Sequence, residues 1–146
     1  MIYGPPLPGS LSIKKLGEST SQIYRLMNGT LKAVPPTPMP VYVDVRDVAE
    51  AHRLAFEAEA SGRFALSAGS FTNGSICDLF RKCGLGLNDR VPPDGGDEVT
   101  PEHYSVDTSR AREILGLEFR PFEETFVDMA KEFLALEASE KVVSDF

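Results

Sequence analysis

The chain has 146 residues, of which 42% are hydrophobic, so its size suits one domain with a core of its own. Its 22 acidic residues against 15 basic ones give a net charge of −7, which excludes nucleic acid and anionic membrane surfaces as expected partners. No apolar run reaches the about 18 to 20 residues that a transmembrane helix needs, and residues 1–5 lack the basic flank and the apolar stretch of a signal peptide, so we expect a cytoplasmic protein.

The first predicted strand ends almost as soon as it begins. Ile2 and Tyr3 are followed by Gly-Pro-Pro-Leu-Pro-Gly at residues 4–9, a cluster that ends any strand and begins a loop. Open α/β sheets bind ligands where strands end in such loops, which makes Tyr3 and Pro5 candidate ligand-facing residues. A plain strand end is the competing interpretation.

A short helix and a rigid connector come next. Ser-Thr-Ser at residues 19–21 predicts the caps of a helix that stops at Asn28-Gly29. Its apolar residues follow helical spacing: Ile23, Tyr24, Leu26 and Met27. The prolines between residues 35 and 40 predict an extended connector in which neither a helix nor a ladder of strand hydrogen bonds can persist.

The connector leads into a predicted strand, Val-Tyr-Val at residues 41–43, and then directly into a helix. Asp44 and Asp47 predict a capping box that opens this helix, which should run to about Ala60. Arg46 and Asp47 could form a binding pair, but we favour a structural role, because an Asp in the first turn beside an exposed Arg is an ordinary cap.

His52 lies on the apolar face of the same predicted helix. A proton carrier needs a neighbouring carboxylate or serine, which the sequence does not place nearby. We therefore predict a packed, hydrogen-bonded core histidine.

Two further strand–helix units are predicted. Phe-Ala-Leu at residues 64–66 suggests a strand, and a helix containing Ile76, Leu79 and Phe80 should stop near Gly84. Residues 85–103, rich in Pro, Gly and acids, predict an exposed and mobile loop. Tyr-Ser-Val at residues 104–106 is a third strand candidate, and Asp107 should cap a short helix that carries Ala111, Ile114 and Leu115 and ends at Gly116.

The last helix has the clearest pattern. Pro121 occupies a favoured first-turn position, and apolar residues then recur at spacings of three and four: Phe122, Phe126, Met129, Phe133 and Leu136. This spacing predicts a core-facing stripe that needs no cofactor to explain it. We expect the tail after Glu137 to fray.

Cysteine and histidine usage gives no support for a metal or disulfide site. Cys77 and Cys83 are six residues apart in a predicted helix, which points them to different faces. His52 and His103 lack Cys or carboxylate neighbours at ligand spacing. We predict ordinary thiols and no metal.

The alternation of strands and helices indicates an α/β fold. Three short strands cannot complete a parallel sheet by themselves, so we predict an incomplete parallel sheet with packing helices.

Residues 42–52, Tyr-Val-Asp-Val-Arg-Asp-Val-Ala-Glu-Ala-His, resemble a segment of the extended short-chain dehydrogenases. The resemblance is greatest for the branch that contains dihydroflavonol reductases, cinnamoyl-CoA reductases and fungal ketone and aldehyde reductases. Further segments follow in the family's order, namely residues 3–5, which resemble the Val-Tyr-Gly-Pro turn, and residues 64–67, 104–111 and 114–117. The resemblance implies that residues 1–137 are part of the substrate-binding half of a Rossmann-type enzyme, followed by a tail at 138–146.

Two functional elements of this family are absent from the sequence. The Gly-x-x-Gly-x-x-Gly turn that binds the cofactor pyrophosphate does not occur. The family's catalytic Tyr is followed four residues later by Lys, whereas the residues four positions after the tyrosines of this chain are Leu7, Asn28, Arg46 and Thr108. We therefore assign no catalytic residue to this chain.

The resemblance implies an NADP- or NAD-dependent reductase that converts a ketone or aldehyde to an alcohol. It places Tyr3, Gly4 and Pro5 beside the nicotinamide. It makes four residues substrate-adjacent, although helix capping would explain the serines equally well: Ser19, Ser21, Gln22 and Tyr42.

As a C-terminal fragment, this chain is expected to bind no cofactor alone and to be inactive, marginally stable or self-associating through an exposed sheet edge. The alternatives are a fragment of a sugar-nucleotide epimerase or dehydratase and a non-catalytic binding or interaction module.

Overall fold

A computed structural model of the chain describes residues 1–6, 12–93 and 105–144. The sheet is small and mixed. Strand β1 (Ile2–Tyr3) pairs in parallel with β2 (Val41–Asp44), and β2 pairs antiparallel with β3 (Gly69–Ser70). The predicted parallel pairing therefore holds for β1 and β2, whereas the β3 side of the sheet is antiparallel.

Five α-helices surround this sheet in the described residues. They are α1 (Glu18–Arg25), α2 (Val45–Glu57), α3 (Asn73–Lys82), α4 (Ser109–Leu115) and α5 (Phe122–Ser144), with a short 3-10 helix at Ile13–Lys15 before α1. The order of elements matches the predicted α/β alternation, with helix α5 packed against both β1 and α3.

The main core is built around aromatic rings. Phe126 on α5 is fully buried and lies 5.4 Å from Tyr3 and 5.5 Å from both Tyr42 and Phe71, measured between ring centroids. Phe122 adds a further ring 4.9 Å from Phe126. The predicted stripe of α5 thus packs on the sheet, and its burial couples β1, β2 and the segment after β3.

A second, smaller cluster lies between α2 and α4. Its buried members are Ala51, Ala111, Leu115 and Leu117. Phe64 and Leu66 pack against this cluster, and the strand predicted at residues 64–66 does not form. The ladder with β2 occurs instead at Gly69–Ser70, where the amide of Ala68 also donates to the carbonyl of Tyr42 at 2.8 Å.

Several other sequence expectations need correction. Tyr104 lies outside the described residues, and Ser105 and Val106 are not in a strand. Helix α1 begins after Gly17 without a side-chain cap, so residues 19–21 lie inside it. Helix α5 continues past Glu137 to Ser144, and the Glu140 carboxylate accepts a hydrogen bond from the amide of Ile13 at 2.7 Å.

His52 is the clearest error among the predicted core residues. Its side chain is exposed, because α2 buries Ala51 and leaves the next position toward solvent. The predicted hydrogen bond does exist, since Nδ1 lies 2.7 Å from the carbonyl oxygen of Val48 on the same helix. Neither cysteine forms a disulfide; Cys77 is buried and Cys83 is half-buried.

We predict that Phe126→Ala lowers the free energy of unfolding by about 3 to 5 kcal/mol, the usual cost of a large cavity among packed rings. Phe56→Ala is the matched control, because Phe56 is 85% exposed and its loss should change stability by less than about 0.5 kcal/mol. Urea unfolding followed by circular dichroism measures both. Equal losses in the two variants would contradict this description of the core.

Candidate functional site

The carboxyl ends of β1 and β2 meet at one edge of the sheet. Tyr3 is in register with Asp44, so the turn after β1 and the start of α2 lie side by side. This edge of parallel strands is the place where open α/β sheets bind ligands. Tyr3, Gly4 and Pro5, three of the predicted site residues, thus lie at the carboxyl end of β1, next to the start of α2.

Gly4 is required by the geometry of this turn. Its φ angle is +125°, a value that residues with a side chain rarely adopt. A Cβ atom at this position would lie 2.8 Å from Cγ1 of Val45 and 3.0 Å from Oδ1 of Asp44. The backbone can pass this close to the first residues of α2 only because Gly4 has no side chain.

Asp44 supplies a fully buried carboxylate directly beside this glycine. Its Oδ1 accepts from the amide of Arg46 at 2.8 Å, which caps α2, and its two oxygens accept from the Arg46 guanidinium at 3.0 and 2.8 Å. Burial alone would raise the pKa of Asp44, but the hydrogen bonds from Arg46 outweigh it and hold the pKa below its usual value. The carboxylate is thus ionised at neutral pH.

Arg46 contacts α5, and Asp47 contacts Arg120, which lies two residues before α5 begins. The Arg46 guanidinium donates to Asp128 at 2.8 Å. Its hydrogen bonds to Asp44 and to Asp128 raise the pKa of the guanidinium. Asp47 accepts from the amide of Arg120 at 2.8 Å and forms an ion pair with its guanidinium. These contacts support the structural role that we favoured, but Asp47 does not complete the predicted capping box.

Tyr3 and Tyr42 lie in the aromatic core and are each only 4% exposed. Burial raises the pKa of both phenols to about 12, with carboxylates near Tyr42 adding to the effect there. The Tyr3 hydroxyl donates to the sulfur of Met1 at 3.4 Å. Neither phenol is suited to proton exchange near neutral pH, and the position of the Tyr42 ring favours a supporting role over direct contact with a substrate.

The remaining predicted site residues lie on α1, which packs against β1. Ser19, Ser21 and Gln22 are half-buried, and the Ser21 hydroxyl donates to the carbonyl of Glu18 at 2.8 Å. Gln22 lines an open groove together with residues that the sequence did not indicate as site candidates: Arg25, Leu31, Pro35, Pro36, Pro38 and Asn73. The structure thus brings Gln22 together with the proline connector rather than with Tyr42.

Among the described residues, neither a candidate metal site nor a membrane-spanning helix is found. Within residues 1–6, 12–93 and 105–144, no cluster of three or more His, Cys, Asp or Glu side chains could hold a metal ion. None of the helices searched in the described chain combines the length and apolar character needed to cross a membrane.

Comparisons with known proteins identify similar chains among reductases. The ketoreductase azaE of Aspergillus niger is 39% identical over 129 residues, which are 82% of this chain and 37% of that protein. Cinnamoyl-CoA reductase 2 of Arabidopsis thaliana is 31% identical over 134 residues, covering 90% of this chain and 38% of that protein. No family model matches the sequence.

The same similarity is seen in three dimensions. The crystal structure of Gre2 from Candida albicans in complex with NADPH superimposes with a TM-score of 0.79 at 29% identity, covering 92% of this chain and 41% of that one. The chain therefore spans about two fifths of the length of the relatives that it matches.

We predict that Gly4→Ala destabilises the chain more than Gly29→Ala does. Both glycines have positive φ angles, +125° and +83°, which residues with a side chain rarely adopt, so each substitution carries backbone strain. Only Gly4 is crowded, because a Cβ at Gly29 would have no atom within 4 Å. Urea midpoints of the two variants measure the difference in stability, and equal midpoints would contradict the packing of this turn against Asp44 and Val45.

Proposed function

Because its homologues are oxidoreductases of the extended short-chain dehydrogenase type, we propose that this chain is the substrate-side, C-terminal portion of an NAD(P)H-dependent carbonyl reductase. The family agrees with the resemblance predicted from residues 42–52, and the α/β class is that of the reductase structures. The relatives compared above are reductases, which favours this activity over that of an epimerase or dehydratase.

One observation carries the proposal. The Tyr3–Gly4–Pro5 turn lies at the carboxyl edge of the parallel strands, with a backbone that a side chain at Gly4 would obstruct. Because Gly4 has no side chain, the turn packs tightly against the start of α2 and stays at the edge where open α/β sheets bind ligands. We propose that this turn lies beside the nicotinamide in the intact protein, with Ser19, Ser21 and Gln22 on α1 near the substrate.

The residues of this chain fit the nicotinamide side of the cofactor site but not its phosphate side. When bound, NADPH or NADH would supply a hydride to the carbonyl carbon of a ketone or aldehyde, while the carbonyl oxygen takes up a proton. The turn at Gly4 and the half-buried face of α1 would orient that carbonyl and exclude water. Tyr42 would support them from the core, through its packing with Phe71 and Phe126.

We propose that the 146-residue chain alone is inactive and binds no dinucleotide, since it lacks both the glycine turn and the Tyr-x-x-x-Lys pair. The described sheet ends at β1, where Ile2 is 49% exposed, and this edge is the surface through which copies of the chain would associate. If the chain were instead a non-catalytic interaction module, it would bind a partner through the same sheet edge and would catalyse no carbonyl reduction.

A chimera tests the proposed activity. The N-terminal portion of the Aspergillus niger ketoreductase that precedes the matched region is fused to this chain, and NADPH oxidation is followed at 340 nm with methylglyoxal or a simple aryl ketone. We expect carbonyl-dependent oxidation by the chimera and none by the 146-residue chain. The same chimera with Tyr-x-x-x-Lys changed to Phe-x-x-x-Lys is the inactive control.

Two results would count against the proposal. Saturable micromolar binding of NADPH to the 146-residue chain would contradict the claim that it cannot bind the dinucleotide alone. A folded chimera that binds NADPH but reduces no carbonyl compound would contradict the assignment of the chain to a reductase and favour the interaction module.

A further inference from the structure

An open groove of ≈ 200 Å³ lies between α1, the proline connector and the start of α3. Its apolar lining comes from Leu31 and three prolines, Pro35, Pro36 and Pro38, and its polar lining from Gln22, Arg25 and Asn73. Pockets for drug-sized ligands enclose roughly 300 to 1,000 Å³, so this groove suits a smaller molecule.

The wall formed by the connector is held rigid. The side-chain amide of Asn73 donates to the carbonyls of Pro35 and Pro36, both at 3.1 Å, and its backbone amide donates to the hydroxyl of the buried Thr37 at 2.7 Å. Prolines also have fixed φ angles. A ligand would therefore meet a preformed surface, and binding would not have to order the connector.

The opposite wall, on α1, carries the hydrogen-bond donors of the groove. Gln22 and Arg25 are three residues apart on α1, a spacing that puts both side chains on one face of the helix. Within the described part of the chain, neither side chain has a hydrogen-bond or ion-pair partner. By contrast, Arg46, Arg90 and Arg120 are each bonded to a carboxylate.

The charge of the groove differs from that of the whole chain. The chain has a net charge of −7, yet the groove is lined by one cationic side chain and by no acidic one among the described residues. A guanidinium is a planar fork of donors that matches the two oxygens of a carboxylate, and the amide of Gln22 can donate to the same group.

We propose that this groove binds a small monocarboxylate with a compact apolar body. The carboxylate lies against Arg25 and Gln22, and the apolar body packs on Leu31 and the proline rings. No bond is made or broken. The groove shares Gln22 with the α1 residues proposed to lie near the substrate, but binding of the carboxylate requires neither the cofactor nor the reduction.

Calorimetric titration of the 146-residue chain with benzoate, at an ionic strength of 0.15 M, tests the site. We expect saturable binding that Arg25→Gln weakens about fivefold, a modest effect because the ion pair would be partly exposed to solvent. Arg63→Gln is the matched control: it makes the same change of charge at an exposed arginine outside the groove and should leave the affinity unchanged. Gln22→Leu should weaken binding without any change in charge.

Neutral and inorganic probes separate the alternatives. Benzamide should bind more weakly than benzoate and should be insensitive to Arg25→Gln. The proposal is overturned if benzoate does not bind saturably, if Arg25→Gln and Arg63→Gln bind it equally well, or if benzamide binds as tightly as benzoate. Tighter binding of inorganic phosphate would overturn the assignment of an apolar carboxylate. Circular dichroism of each variant verifies the fold, and Arg25→Lys serves as a second variant that keeps the charge.

Discussion

The buried carboxylate of Asp44 is the constraint that connects the parts of this structure. It ends β2, caps α2 and lies 3.0 Å from the position that a Cβ of Gly4 would occupy. A buried charge is tolerated only when it is paired and fully hydrogen-bonded, and Arg46 meets that need with three donors. Because Arg46 also bonds to Asp128, the carboxylate links the strand edge to α5.

The aromatic core also connects the two parallel strands with α5. Rings from β1, β2 and α5 meet around Phe126, so the stripe on the last helix fixes the position of the first strand. Two residues of strand are too few to be stable alone. β1 is held because Tyr3 is buried in the core and Gly4 packs on α2, and these contacts place the turn where a ligand could approach it.

Local patterns made most of the fold predictable. The stripe of α5, the αL glycine at Gly116 and the strand–helix junction at Asp44 are all signals within a few residues of sequence, and each appears in the structure. The predictions of secondary structure that failed concern residues whose conformation is determined by tertiary contacts. Phe64 and Leu66 have strand-like character but are used in packing against α4, while Gly69 and Ser70, which have low strand propensity, pair because β2 presents its edge to them.

The candidate site was predictable only in part, for the same reason. Tyr3 and Pro5 follow from a strand that ends in breakers, and Gly4 follows from the family resemblance. The contact of the groove residues Gln22 and Asn73, 51 positions apart in the sequence, has no local signal. His52 is a case in which the spacing predicted a buried residue and the side chain is exposed. Helical spacing alone could not show which side of Ala51 faces the core.

The central claim is that this chain by itself holds β1 and the turn at Gly4 in place. The amide of Val43 donates to the carbonyl of Met1 at 3.2 Å, so its hydrogen exchange reports on that pairing. We expect the Val43 amide to exchange only through global unfolding, with the same protection as the amide of Met129 in the middle of α5. Rapid exchange at Val43 while Met129 stays protected would mean that β1 detaches from an otherwise folded chain, and would contradict the claim.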